Sequence, residues 1–182
     1  MDEKNRRHDE KLNEQIRIAG IEDVAALTEF TAISFRESWL DETNGSDIES
    51  YIADNFNFSQ IEKEITSELL TYLIFEMDNS IVGYCKLEKK CSPAELDLPN
   101  PIFISRLYVK KEYHNKQLGS RLINDALLLA KNENYKTIWL GVWSKSADGI
   151  RLYERFGFKK FGTEQFLMGS LIFDDYLMTR EV

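Results

Sequence analysis

The chain has 182 residues, 43% of them hydrophobic and 30% charged, and carries a net charge of −8. That length suits one domain with its own core, and the acidity excludes a general binder of phosphate backbones, which attract clustered Lys and Arg. The only cysteines and histidines, Cys85, Cys91, His8 and His114, cannot build a structural zinc site at the usual spacings, and so few cysteines suit a reducing, cytoplasmic compartment.

Met1 to Gln15 is polar and lacks the apolar stretch of a secretory signal, so residues 1–14 are expected to form a flexible tail and 15–182 a single domain. No stretch approaches 18 apolar residues, so no membrane span is expected. Ile16 to Ala19 reads as a short strand. Val24, Leu27, Phe30, Ile33, Phe35 and Leu40 recur at roughly helical spacing from Glu22 to Leu40, and Ile48, Tyr51 and Ile52 do so from Asp47 to Asn55. A third helix is expected from Ser59, with Ser59 and Glu62 at the spacing of a capping box. Leu69–Met77 and Ile81–Leu87 then read as a hairpin turning at Asp78-Asn79-Ser80. Cys91 to Pro101 contains all the prolines and is a loop. Ile102–Val109 is a strand, Gly119–Asn132 a helix and Thr137–Trp143 a strand. Ser146–Phe156 is a helix stopped by Gly157, and Phe158–Gly162 and Leu171–Thr179 are strands. The order predicts an α/β fold, a mixed sheet with helices on its faces.

The chemistry concentrates between Arg106 and Arg121, where five basic residues face one acid, Glu112, at a strand-to-helix turn. The first helical amides lack acceptors and the helix dipole adds positive charge, so the turn is a candidate pyrophosphate cradle. A solvated basic turn has the same composition.

Taken with Trp139-Leu140-Gly141-Val142-Trp143 and with Ser146 to Phe158, where Tyr153 stands four residues before Gly157-Phe158, this turn resembles the GNAT superfamily of N-acetyltransferases. Phe56 to Glu64, Ile138–Trp143 and Phe166-Leu167-Met168-Gly169 extend the resemblance toward the bacterial PaiA-like spermidine/spermine N-acetyltransferases. The resemblance implies a mostly antiparallel sheet in which Ile102–Val109 and Thr137–Trp143 splay apart around acetyl-CoA, with no metal. It implies that Leu107, Tyr108 and Val109 receive the pantetheine and thioester. His114, Asn115, Lys116, Gln117, Leu118, Gly119 and Ser120 would then hold the pyrophosphate. Gln117 stands where the family pattern has glycine, and is expected to keep a negative φ. Ser146 stands where the family often has a cofactor-contacting Asn, and can equally cap its helix.

Acetyl transfer to an alkylammonium of pKa ~10.4 must first remove a proton, about 4.6 kcal/mol uphill at pH 7. Tyr153 is the expected acid for the leaving thiolate, because an ordinary phenol lies within ~1.5 units of a thiol; as a residue on an amphipathic helix it also fits a core role. A backbone amide of Leu107 or Val109 is the expected oxyanion donor. Related enzymes often carry a glutamate near the positions of Phe103 and Ser105, where this chain has no acid, so the base is left open among water routes to Glu37, Glu76 or a carbonyl. From Glu37 to Glu62 acids alternate with aromatics and no Lys or Arg intervenes, which suits a small cationic amine. Glu37, Asp41, Trp39 and Trp143 are the expected acceptor-binding residues, although a solvated acidic face reads the same way, and Asp174-Asp175 is equally ambiguous. The leading expectation is direct acetylation of a polyamine. Another small amine, an amino acid or a protein N-terminus is the alternative, as is a CoA-binding module without turnover. No nucleic-acid or membrane partner is expected, and a homodimer is left open.

Overall fold

The structure, a computed structural model, describes residues 13–43, 45–93 and 97–182, so most of the expected tail and the middle of the proline loop lie outside it. The elements run β1 (Glu14–Ile18), α1 (Val24–Trp39), α2 (Gly45–Asn55), α3 (Phe58–Ile65), β2 (Leu70–Met77), β3 (Ser80–Lys89) and β4 (Pro101–Val109). They continue with α4 (Leu118–Asn132), β5 (Thr137–Trp143), α5 (Ala147–Arg155), β6 (Lys159–Met168) and β7 (Leu171–Glu181). Short 3₁₀ turns at Ile21–Asp23 and Lys111–Tyr113 lead toward α1 and α4.

Among the described residues the strands form one sheet in the order β1-β2-β3-β4-β5-β7-β6. Every neighbouring pair is antiparallel except β4 and β5, which α4 joins as a crossover. The expected mixed sheet, mostly antiparallel, is what forms. The β2–β3 hairpin closes on two residues, Asp78 and Asn79, with φ of 48° and 64°. Asn and Asp tolerate that left-handed geometry better than most side chains, and it matches the twist of the flanking strands.

Two apolar layers sandwich the sheet. On one face Leu118, Leu122, Ile123, Ala126 and Ala130 of α4 and Tyr153 of α5 pack on Phe75, Cys85, Ile104 and Leu140. On the other, Leu27 and Phe35 of α1, Ile48 and Ile52 of α2 and Ile61 of α3 pack on Tyr72, Ile74 and Tyr84. Each fully buried Leu, Ile or Phe contributes roughly 1.5–3 kcal/mol, so these layers fix where the strands lie.

Two sequence expectations need correction. The cap of α3 is Asn57, whose side chain accepts from the Gln60 amide at 2.9 Å, so the helix starts before Ser59. β6 runs on to Met168, well past Gly162. It is an edge strand whose Thr163-Glu164-Gln165 face water, so it lacks the apolar alternation that marks an inner strand.

Candidate active site

β4 and β5 pair only from Pro101 opposite Thr137 to Ile104 opposite Leu140. Beyond that, β4 follows β3 as far as Val109 opposite Gly83, and β5 follows β7 as far as Trp143 opposite Asp175. The divergence has a local cause. Ser105 has no Cα partner on β3, because the register shifts between Lys86 and Leu87. A residue bulged out of the ladder bends its strand, and it sits immediately after the last β4–β5 pair.

The gap widens into a cleft of about 1210 Å³. Leu107, Tyr108, Val109, His114, Asn115, Gln117, Leu118, Gly119, Ser120, Ser146 and Tyr153 line it, as do Trp39 and Trp143. Lys116 is not among the lining residues; its ammonium lies 4.8 Å from the Tyr113 ring centroid. Glu37 and Asp41 do not line the cleft either, and both are exposed.

At one end, the amides of Leu118, Gly119 and Ser120 open α4 with no acceptor in the helix. Gln117 holds φ +64°, not the expected negative value, and Asn115 holds +62°. Gln117 therefore adopts the glycine-like conformation at a cost of about 1–2 kcal/mol. Its carbonyl accepts the Arg121 amide at 3.0 Å, the first turn of α4. A Cβ on Gly119 would meet Leu152 at 3.7 Å and Val109 at 3.9 Å, ordinary contacts, so the site does not demand glycine on grounds of space. His114 donates from Nε2 to the Val109 carbonyl oxygen at 2.8 Å, tying the turn to the end of β4. Ser146 occupies the N-cap position of α5 but makes no capping bond. Its hydroxyl leans over Gly149, where a Cβ would approach it to 2.8 Å.

In the middle of the cleft stands Tyr153, its ring edge-on to Phe158 at 5.8 Å. Burial, with Cys85 and Tyr108 nearby, pushes its phenol well above the usual value. The near match to a thiol expected from an ordinary phenol is thus replaced by a group that stays protonated at any working pH. Beside it Cys85 is fully buried, and burial raises its thiol to about 12.

The far end is aromatic. Trp39 lies 5.8 Å from Trp143, 5.8 Å from Phe166 and 4.8 Å from Phe173, and Phe35 stacks on Tyr51 at 4.7 Å. Burial pushes the Tyr108 phenol up to about 12, against the pull of a hydrogen bond from Trp39. Two charged residues of this wall were not assigned to it by the sequence, which counted Arg106 in the basic turn and left Asp175 ambiguous. Arg106 stacks on Phe56 at 4.4 Å, and its Nη1 is buried without a hydrogen-bond partner, 3.8 Å from Glu64. Asp175 projects from β7, its Oδ1 buried and also without a partner. Burial, then Glu164 and Asp174, raise its carboxyl to about 6. The alternation of β7 carried a signal, since Phe173, Asp175 and Leu177 share one side of the strand. Of the proposed proton routes, Glu76 is held by Arg17 at 2.8 Å outside the cleft.

Residues 25–158 match the Acetyltransferase (GNAT) family. The chain belongs to the GNAT family. Its activity class is acetyl-CoA-dependent N-acetyl transfer. This GNAT chain is 26% identical to an uncharacterized N-acetyltransferase of Lactobacillus delbrueckii over 85% of its own length and 91% of the relative's. It is 27% identical to a spermidine N(1)-acetyltransferase of Thermoplasma acidophilum, over 82% and 91% of the two chains. Among solved structures it resembles the PaiA N-acetyltransferase of Thermoplasma acidophilum in complex with coenzyme A. There the TM-score is 0.78 and the identity 24%, over 93% of this chain and 99% of that one. No described helix is long and apolar enough to cross a membrane.

Proposed function

We propose that the cleft transfers acetyl directly from acetyl-CoA to a primary amine, and that a polyamine is the leading acceptor. The observation carrying this reading is the parting of β4 and β5 beside an unpaired helix N-terminus. An extended pantetheine suits the open edge of β4 at Leu107, Tyr108 and Val109 as an added strand would. A pyrophosphate suits the amides of Leu118, Gly119 and Ser120, with His114, Asn115 and Gln117 shaping the turn. Acetyl-CoA supplies the thioester, and the protein supplies position and protons. A backbone amide of β4, at Leu107 or Val109, donates to the carbonyl oxygen that gains charge. Tyr153 remains protonated and so is available to donate to the departing sulfur. Cys85, buried and protonated, is a poor nucleophile, which favours direct transfer over an acetyl-cysteine route.

Polyamine specificity is supported by the spermidine N(1)-acetyltransferase relative and by the aromatic wall around Asp175, which suits an alkylammonium. Arg106 favours a second reading. A guanidinium beside the same wall, its Nη1 without a hydrogen bond although 3.8 Å from Glu64, suits an acceptor that carries a carboxylate near its amine. Thiol release from acetyl-CoA with spermidine, a simple monoamine and an amino-acid amine separates these readings. Spermidine should give the highest kcat/KM. A preference for the amino acid, or loss of that preference in Arg106→Gln, would favour the second reading, and no stimulation by any amine would contradict both.

A further inference from the structure

We infer that Asp175 is the group that accepts the proton from the attacking amine. The inference rests on the acetyl-transfer reading of the cleft and names the base that the sequence left open. Among the described residues Asp175 and Asp148 are the carboxylates lining the cleft, and Asp148 is exposed and paired with Arg151. Asp175 is different in each respect. It stands opposite Trp143 in the β5–β7 ladder, and its Oδ1 is buried with no hydrogen-bond donor. A Cβ built on Gly141 would lie 3.4 Å from its Oδ2. Gly141 is the first β5 residue past the last β4–β5 pair, so the carboxylate crosses to the apex of the opening over a position that has no side chain. A methyl group at 141 would already be in van der Waals contact with it. An orphaned acceptor costs folding energy unless something donates to it, and an ammonium N–H among Trp39 and Trp143 is a donor of the right charge.

The groups facing Asp175 are Glu164 across the β6 ladder, Asp174 beside it on β7 and Tyr108 from β4. β5 offers Gly141 and Trp143, which do not titrate, and α1 contributes Trp39 to the same wall. Burial and the two acids make this carboxyl a better proton acceptor than a surface aspartate, and it is ionised above about pH 6. In the reaction, one ammonium proton passes to Asp175, and the freed nitrogen lone pair forms the N–C bond to the acetyl carbon as the C–S bond breaks. Tyr153 gives a proton to the leaving sulfur, and the second proton of the nitrogen replaces it through solvent. Asp175 returns its proton to water, so one proton is released per amide formed.

The test is the pH dependence of kcat/KM for a primary alkylamine and for an amine of low pKa that is already neutral at pH 7, in wild-type enzyme and Asp175→Asn. With the alkylamine, wild type should rise through about pH 6 and then stay level to pH 9. Asp175→Asn should be at least about 100-fold slower at pH 7, with a deficit that shrinks about tenfold per pH unit as free amine accumulates. With the low-pKa amine the two enzymes should agree within about threefold. A deficit equal at every pH, or equal for both amines, would mean a structural role and overturn the inference, as would no deficit. If the Asn variant does not fold, the wild-type profiles decide alone: a limb near pH 6 for the alkylamine and none for the low-pKa amine supports the inference, and any other pattern overturns it. Failure of the functional reading looks different, because wild-type enzyme then releases no thiol with either amine.

Discussion

Tyr153 illustrates how one environment changes a residue's chemistry. In water its phenol would sit close to a thiol in acidity, but burial between α5 and the sheet raises it well above that. In the proposed reaction it serves as a hydrogen-bond donor that keeps its proton until negative charge builds on sulfur. Tyr153→Phe keeps the ring packing and removes the donor, so kcat should fall about 100-fold or more while the Kd for coenzyme A changes less than about threefold. Rates and calorimetry on the same preparation check this, and an unchanged kcat would remove Tyr153 from the chemistry. That Tyr153 and Gly119 line one cleft was legible in the sequence because they belong to a spaced pattern. The place of Asp175 and Arg106 in the cleft was not, although the first was weighed for the acceptor and the second counted in the basic turn. Their meaning comes from burial, and only the assembled sheet shows that Asp175 Oδ1 and Arg106 Nη1 are left without a hydrogen-bond partner. Gln117 was legible as a departure from the family pattern, but its left-handed backbone was not, since the sign of φ depends on how the turn meets α4.

At the level of elements, the cleft depends on two adjoining features, the end of β4–β5 pairing and the bulge at Ser105. Behind that bulge lies a buried ionic cluster between α3 and the sheet. Glu64 accepts from Lys86 at 2.8 Å, from Gln60 at 2.9 Å and from the Tyr72 hydroxyl. Burial pushes the Glu64 carboxyl up, but the hydrogen bonds from Lys86 and Tyr72 outweigh it and hold the group below its usual range. Its stabilisation is accordingly present above the ordinary carboxylate range, near pH 4, and lost as the pH falls below that. Lys86→Met should cost roughly 3 kcal/mol because it strands a buried carboxylate, and Glu64→Gln in the same chain should recover much of that loss. Thermal unfolding of the single and double variants checks this; a single variant as stable as wild type would contradict it. Most elements were legible from hydrophobic period and turn residues. The exceptions were β6, whose edge position removes the apolar alternation, and the start of α3, where Asn57 capped the helix before Ser59 could.

Across the whole molecule, charge is divided by task. The chain is net acidic, yet the turn from β4 to α4 carries Lys110, Lys111 and Lys116, although none of the three lines the cleft and Lys110 pairs with Glu112 at 2.8 Å. The acid-rich stretch from Glu37 to Glu62 looked in sequence like the acceptor site. In the fold it is divided: Glu49 pairs with Arg36 at 2.6 Å, Asp47 bonds Ser170 at 2.9 Å, and Glu37 and Asp41 stay outside the cleft. Local composition could not show that, because which acids face inward is set by the packing of α1 and α2 on the sheet. The family of the chain was legible because its motif spans β4, α4, β5 and α5, which together build the opening. Calorimetric titration of the folded protein with coenzyme A, and separately with pantetheine, tests the account most directly. The account predicts one saturable site per chain, coenzyme A at least about tenfold tighter than pantetheine, and an affinity for coenzyme A that weakens with salt because its phosphates meet a charged turn. No uptake of coenzyme A, or equal affinity for both ligands at every salt concentration, would contradict it.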